Sequence, residues 1–236
     1  MDPRPAFDPS RPGHPEASWS RAIAPLPTRA AAPRDLVVVA PHPDDETLGA
    51  GGLMATAAAA GRAVTVVVVT DGEAGAATPT PDLGRRRRKE LREALRALGV
   101  TAPRVVFLAY PDGDVAPHAA DLEQMLERIV TPTDLLVGPW LRDGHPDHEA
   151  TATACRRVAQ RRAVEFMEYP VWAWHHSTPE ALFANDAVRI PLEASRRAAK
   201  VRAIQCYRSQ RQGGAAAILP DHVMPYFERE EEVFVR

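Results

Sequence analysis

Residues 35–48 read DLVVVAPHPDDETL, and this stretch decides both the fold and the candidate site. Its first part, Leu36–Ala40, is aliphatic and mostly β-branched, which is typical of a strand that is buried on both faces of a parallel sheet. The run ends in HPDDE at positions 42–46, directly before an apolar segment rich in Gly and Ala. Ligands bind beyond the carboxyl ends of the strands in such sheets, so the turn lies where a ligand would be met.

The rest of the chain alternates apolar strand-like runs with helical patterns, which predicts an α/β fold with a mostly parallel sheet and right-handed crossovers. After residue 170 the pattern degrades into an aromatic loop, a helix at 193–208 and an acidic tail segment at 228–232. The predicted strands are 36–40, 64–70, 105–109, 135–138 and 164–169, and the predicted helices are 47–60, 85–98, 119–129 and 148–161.

Composition favours an ordinary globular protein of 236 residues, with 45% hydrophobic and 25% charged residues. Residues 1–33, rich in Pro, Arg and Ala, are interpreted as an N-terminal extension without its own core, and residues 34–236 as the functional domain. A net charge of −2 gives no field that would recruit nucleic acid. We find no transmembrane segment, no signal peptide and no disulfide framework, and therefore expect a cytoplasmic protein.

A divalent cation is the simplest way to neutralise the crowded acids of positions 44–46. His42 and Asp45 are three residues apart across a turn, so both side chains can face one point. His148, in a second cluster that reads HPDH at 145–148, supplies a third ligand at another strand end. Two histidines and one carboxylate, with a position left for water, form the donor set of a catalytic Zn²⁺, although Fe²⁺ also accepts it.

The remaining polar residues of the two clusters suit hydrolysis. Asp44, adjacent to a ligand, is expected to point toward the metal-bound water and to accept its proton. His145 is expected to stabilise an oxyanion or to protonate a leaving amine.

Two alternatives compete with the metal site. His42 could merely cap a helix whose N-terminus the acids surround, but a second His/Asp cluster at another strand end argues against this. Dinucleotide binding is suggested by Gly49, Gly51 and Gly52, but they lie inside the predicted helix and the acids would repel a pyrophosphate. Those glycines are expected to allow close packing of the helix on the sheet.

The run RRRRK at 85–89 resembles a nucleic-acid patch, yet its helical phase argues otherwise. Leu91, Leu95 and Leu98 mark the buried face, so Arg87, Arg88 or both should point inward. Asp112 follows the strand 105–109, where it would either bind a substrate hydroxyl or serve turn formation with Gly113.

These motifs resemble the PIG-L/LmbE-like family of metal-dependent N-acetylglucosaminyl deacetylases. PHPDDE at 41–46 and HPDH at 145–148 match its two main motifs, and TDGEAG at 70–75 resembles its strand-exit loop. Arg87 with Glu90, Asp112-Gly113, and Lys200 with Ser209-Gln210 match further segments, so the resemblance covers roughly 35–212. Tyr207 departs from the histidine that relatives often carry.

The resemblance implies a Rossmann-like three-layer fold, a zinc site formed by His42, Asp45 and His148, and a general base at Asp44. It further implies that His145 stabilises the oxyanion or acts as an acid, and that Arg87 and Asp112 bind the sugar. The expected substrate is a small amino-sugar molecule or glycoconjugate that loses its N-acetyl group. An amidase for another amide, such as a thiol conjugate, and a non-catalytic sugar- or metal-binding module remain alternatives, and homo-oligomerisation is left open.

Overall fold

Seven strands form one mixed sheet in the computed structural model, which describes residues 13–31, 34–75, 82–184, 186–212 and 217–236. The strand order is β3-β2-β1-β4-β5-β7-β6. The first five strands of this order run parallel to one another, whereas β7 is antiparallel to both of its neighbours. The strands are β1 Leu36–Ala40, β2 Val64–Thr70, β3 Arg104–Tyr110, β4 Leu135–Pro139, β5 Glu165–Tyr169, β6 Ala187–Pro191 and β7 Glu231–Val235.

Helices cover both faces of the sheet, which gives the predicted three-layer α/β fold. The helices α2, α3 and α8 pack together over one apolar cluster, and α4 and α5 pack over the other. The described helices are α1 Glu16–Ile23, α2 Asp45–Ala59, α3 Leu83–Ala97, α4 Ala119–Ile129, α5 Pro146–Arg162, α6 Ala173–His176, α7 Pro179–Leu182, α8 Ala194–Ile204 and α9 Arg208–Arg211.

The strands and helices predicted between residues 36 and 169 are confirmed to within two residues at each end. The corrections lie on either side of this range, where α1 in the N-terminal extension and the short helices α6 and α7 in the aromatic loop were not predicted. The sequence reading missed β6 and β7, and it took part of β7 for an acidic tail segment. The single predicted helix at 193–208 is two helices, α8 and α9, separated by a turn at Gln205–Tyr207.

The strand order creates a switch point at β1, which positions the site. β1 pairs with β2 on one side and with β4 on the other, so the connections that leave β1 and β4 diverge from each other. A crevice therefore opens beyond the carboxyl ends of these two strands, as is general for open α/β sheets. The two predicted clusters, at 42–46 and 145–148, both follow these ends.

The N-terminal segment packs on the body of the protein. Trp19 and Ile23 of α1 are fully buried and belong to the same apolar cluster as the sheet. The Trp19 ring meets the Trp174 ring edge-on, with 4.9 Å between centroids. Further along, Thr28 forms a parallel bridge to Arg189 on β6. Residues 13–31 therefore support the aromatic loop at one end and cover the sheet edge at the other.

Close packing of α2 depends on its glycines, as predicted. A Cβ atom on Gly49 would lie 2.1 Å from the Tyr169 ring on β5, and one on Gly52 would lie 2.5 Å from Leu192. The helix breaks at Ala50, where φ is −138°. The buried Glu232 carboxylate accepts hydrogen bonds from the freed backbone N–H groups of Gly52 and Leu53, and Lys200 pairs with it at 2.7 Å.

Candidate metal centre and pocket

A pocket of about 130 Å³ opens at the switch point. Six of the seven predicted site residues line it, and the seventh, His148, is fully buried behind them at the start of α5. The six are His42, Asp44, Asp45, Arg87, Asp112 and His145. The structure therefore brings the whole predicted set together from four separate segments of the chain.

Three side chains present a compact triangle of donor atoms. Nδ1 of His42 and Nε2 of His148 each lie 3.2 Å from Oδ2 of Asp45, and the two nitrogens are 3.3 Å apart. The ligand atoms around a tetrahedral Zn²⁺ with bonds of roughly 2.0–2.1 Å are separated by about 3.3–3.4 Å. The donor triangle therefore has the size of one face of such a site.

Each of the two imidazoles directs its other nitrogen at carboxylates. Nε2 of His42 lies 3.1 Å from Oδ1 of Asp112 and 3.2 Å from Oδ2 of Asp147. Nδ1 of His148 is fully buried and lies 2.8 Å from Oδ2 of Asp143, close enough for an ion pair but without the alignment of a hydrogen bond. Carboxylates in these positions hold metal-binding imidazoles in the required tautomer and orientation. The donor set and its surroundings thus fit a divalent metal.

The carboxylates also set the electrostatics of the imidazoles. Burial lowers the pKa of His42, but Asp112, Asp147 and Asp45 together raise it well above its ordinary value. Burial likewise lowers the pKa of His148, and Asp45 and Asp143 outweigh it and raise this pKa to about 9. For Asp45, burial alone would raise the pKa, yet the two imidazoles hold it well below its usual range. The cluster therefore favours positive charge at its centre.

The turn between β1 and α2 is strained at Asp44. Its φ is 152°, a conformation that side-chain-bearing residues rarely adopt, and such strain collects at functional sites. Two hydrogen bonds hold it in place. The Asp44 N–H donates to Oε2 of Glu46 at 3.1 Å, and Nε2 of Gln210 donates to the Pro43 carbonyl at 2.5 Å. Tyr207 donates its hydroxyl hydrogen to Glu46.

Asp44 itself lines the pocket beside the donor triangle and is only 4% exposed. Burial, and next the charge of Asp45, raise the pKa of the Asp44 carboxyl well above its usual value, against the positive charge of Arg87. A carboxylate with a raised pKa is a stronger base than an ordinary one, so its position and its environment both suit proton abstraction.

His145 caps α5 with its own ring. Nδ1 accepts a hydrogen bond from the backbone N–H of Asp147 at 3.2 Å, so the neutral ring carries its proton on Nε2. Burial and the two neighbouring imidazoles lower the pKa of His145 to about 4. The ring is therefore neutral at physiological pH and offers an N–H donor beside the pocket.

The two predicted sugar-binding residues differ in how far they are already engaged. Arg87 is buried, and among the described residues its Nε has no hydrogen-bond partner, so this guanidinium has donors to spare. Asp112 contacts His42 through one oxygen and accepts the Ala74 N–H through the other at 2.8 Å. Asp112 thus supports His42, a candidate metal ligand, independently of any contact with a substrate.

Sequence reasoning assigned no role to Asp143 or Asp147. Asp147 accepts the backbone N–H groups of Gly113 and Val115, at 2.8 and 3.1 Å, and thereby joins the loop after β3 to the His42 ring. It belongs to the quoted HPDH motif, which was the available signal. Asp143 carries no such signal, because it precedes the motif by two residues and the backbone N–H groups that it accepts lie at 171–173.

Within the described part of the chain, no helix is long and apolar enough to cross a membrane.

Comparison with known proteins points in one direction. The family model described as PIG-L, GlcNAc-PI de-N-acetylase, matches residues 37–159. A 1D-myo-inositol 2-acetamido-2-deoxy-alpha-D-glucopyranoside deacetylase of Kineococcus radiotolerans is 36% identical over 163 residues, which cover 52% of this chain and 45% of that protein. The chain spans between about a third and a half of the length of this and two similar curated deacetylases.

Solved structures share the fold. The conserved protein TT1542 of Thermus thermophilus superposes with a TM-score of 0.65 at 28% identity, over 86% of this chain and 94% of that one. The N,N'-diacetylchitobiose deacetylase of Pyrococcus horikoshii gives 0.61 at 22% identity, over 85% and 82% of the two chains. At the latter identity the likeness concerns the fold alone.

Proposed function

Because this chain belongs to the PIG-L family, we propose that it is a zinc-dependent hydrolase that removes an N-acetyl group from an N-acetylglucosamine-containing small molecule or glycoconjugate. One observation carries the proposal. A metal-sized triangle of His42, Asp45 and His148 lies in a pocket with Asp44, a buried carboxylate that is not itself part of the triangle.

His42, Asp45 and His148 would hold the metal. When bound there, a divalent ion polarises the amide carbonyl and makes water acidic enough to lose a proton near neutral pH. The side chains of the chain supply the rest of the chemistry.

Asp44 takes a proton from the attacking water and returns it to the amide nitrogen, so that the C–N bond breaks to give a free amine and acetate. The raised pKa of the Asp44 carboxyl suits both steps. It makes the carboxylate a stronger base toward the water, and the carboxylic acid that results can still give its proton to the amide nitrogen. The strained backbone, fixed by Glu46 and Gln210, aims the carboxylate into the pocket.

His145 stabilises the oxyanion that forms at the acyl carbon. Its Nδ1 is occupied by the Asp147 N–H, and the neutral ring therefore directs an Nε2–H donor at the reacting group. With Asp44 carrying the proton to the nitrogen, His145 has no need to act as the acid, although the sequence alone left both roles open.

Arg87 and Trp172 supply the binding surface for the sugar. The spare donors of the Arg87 guanidinium suit ring hydroxyls, and the largely buried Trp172 forms an aromatic wall of the same pocket. Asp112 lines the same pocket and accepts hydrogen bonds, and it also orients His42.

The proposal is tested by measuring free-amine release from a panel of N-acetylglucosamine derivatives, glucosaminyl-inositol conjugates included, with bound metal quantified for each protein. Asp44→Asn should keep its metal and lose about 10²- to 10⁴-fold in turnover, because only the base is removed. Asp45→Ala should lose the metal. Asp114→Asn, an exposed residue in the loop after β3, is the matched control and should behave as wild type.

Normal turnover by Asp44→Asn at equal metal content would refute the assignment of the base. Amine release from a thiol-conjugate amide but from no acetylated sugar would replace the proposed substrate class with the amidase alternative. A wild-type protein that binds metal but releases no amine from any amide would be a binding module.

A further inference from the structure

We infer that Asp143 is a positioning residue that joins the candidate metal ligand His148 to the aromatic wall of the pocket, so that one carboxylate governs both metal affinity and substrate affinity. The inference rests on the proposed function, since it assumes that the donor triangle holds a metal and that the pocket holds the substrate.

Asp143 is fully buried, and its two oxygens accept three backbone N–H groups and lie against one imidazole nitrogen. Oδ1 accepts the backbone N–H groups of Val171 and Ala173 at 2.9 and 3.0 Å. Oδ2 accepts the N–H of Trp172 at 3.1 Å and lies 2.8 Å from Nδ1 of His148. A carboxylate has about four lone-pair positions, and backbone N–H groups already occupy three of them.

On the metal side, the contact favours one tautomer of His148. A neutral imidazole that binds metal through Nε2 must carry its proton on Nδ1, and the negative charge of Asp143, 2.8 Å from Nδ1, favours this form. His148 is itself fully buried, so no water substitutes for the carboxylate at this nitrogen. Outer carboxylates of this kind change metal affinity when they are removed.

On the substrate side, the contact fixes the backbone that carries Trp172. Val171, Trp172 and Ala173 are buried, and their three consecutive N–H groups would lack acceptors without Asp143. The Asp143 carbonyl adds a second link, at 2.8 Å from Nε2 of His176 at the end of α6. The wall is therefore attached to the turn that precedes the ligand cluster, and not only to β5.

The neighbouring Gly144 makes this arrangement tight. Its φ is +85°, and a Cβ atom there would lie 2.4 Å from Nε2 of His176. The turn and α6 thus meet without room for a side chain, so a displacement of one is transmitted to the other.

The test is Asp143→Asn, with Asp134→Asn as the matched control. Asp134 is a buried carboxylate at the opposite end of β4 that accepts a backbone N–H, from Thr131 at 2.6 Å. An asparagine at position 143 offers one acceptor oxygen in place of two, and cannot serve the three amides and the imidazole together.

Metal affinity is measured first, by competition with a chelator in the absence of substrate. Asp143→Asn should bind Zn²⁺ about 10- to 100-fold more weakly than wild type, whereas Asp134→Asn should not. Kinetics at saturating metal are measured next. The KM of Asp143→Asn should rise about tenfold, as for the loss of one hydrogen bond, with kcat changed much less.

Unchanged metal affinity in folded Asp143→Asn would overturn the role of Asp143 in metal binding. An unchanged KM would overturn its role in holding Trp172 at the pocket. If the Asn variant does not fold, Asp143→Glu is the second variant, since it keeps the charge and the number of acceptors but displaces the oxygens. It should lower the affinity for Zn²⁺ and raise KM, and wild-type values of both would overturn the inference. Failure of the proposed function is distinguished by the wild-type protein, which would then release no amine although the chelator measurement reports bound metal.

Discussion

Arg87→Met tests the electrostatics of the pocket most sharply. Arg87 lies on the buried face of α3 and is 3% exposed, with Nε unpartnered among the described residues. Within the described part of the chain, Arg87 donates one hydrogen bond, to the Gly75 carbonyl, and it is long at 3.4 Å. Because the guanidinium is so weakly engaged by the protein, its removal should damage the pocket more than the fold.

The expected size follows from what the guanidinium has to offer. A hydrogen bond to a charged group contributes about 1.5–3 kcal/mol, which corresponds to a loss in kcat/KM of roughly 10- to 150-fold. Arg87 also lowers the pKa of Asp44, so without it that pKa rises further. Asp44 is active as a base when ionised, and the acidic limb of the kcat/KM profile should therefore move to higher pH.

Initial rates of amine release between pH 5 and 9, with equal metal content, measure both effects. Arg87→Lys keeps the charge but not the planar fork, so the acidic limb should stay in place while KM rises. Arg88→Met is the control from the same basic run, since Arg88 pairs with Asp71 at 2.6 Å and stacks on Phe107 outside the pocket. A folded Arg87→Met protein with kcat/KM and pH profile like those of Arg88→Met would refute the reasoning.

Three further predictions concern the metal, the core and the N-terminal segment. Metal affinity should rise with pH up to about 9, because protons compete with the metal for His42 and His148, whose pKa values are raised, that of His148 to about 9. Chelator-buffered titrations between pH 6 and 9 measure this affinity, and a flat profile would contradict the prediction. Lys200→Met should lower the free energy of unfolding by about 3–5 kcal/mol in urea denaturation, since it leaves the buried Glu232 charge unpaired. The double variant with Glu232→Gln should recover part of this loss, and a loss below about 1 kcal/mol in the single variant would disprove the role of the pair. Trp19→Ala should cost about 3–5 kcal/mol because the ring is fully buried; thermal denaturation that is unchanged from wild type would show that α1 does not contribute to the core.

The sequence predicts β1, β2 and β4 well because each is a nearly unbroken apolar run, so burial on both faces is visible locally. β3 and β5 are less apolar or less buried, and their place in the strand–helix alternation makes them predictable. β6 and β7 were not predicted because the residues that stabilise β7 in the sheet lie far from it in the sequence. Glu232 looks like part of a solvated acidic tail until Lys200 and the broken helix at Ala50 are brought to it. The N–H groups that make its burial tolerable are 179 and 180 residues away in the chain.

The candidate ligands were predictable for a topological reason. His42 and His148 follow strands that are neighbours in the sheet, and the ends of parallel strands converge. Helical phase narrowed the basic run to Arg87 or Arg88, and the structure places Arg87 in the pocket. The second contacts of the imidazoles were not predictable, because an aspartate that faces a ring nitrogen looks in sequence like any aspartate in a turn.

The same carboxylates explain how so much charge can be buried with or without a metal. Asp45 and Asp112 have lowered pKa values, and the two imidazoles they face have raised ones. Near neutral pH the metal-free cluster therefore balances its acids with protons on His42 and His148. A divalent cation replaces those two positive charges when it binds, so the balance is nearly the same in both states. The acids that would disrupt an apolar core therefore favour a cation at this site.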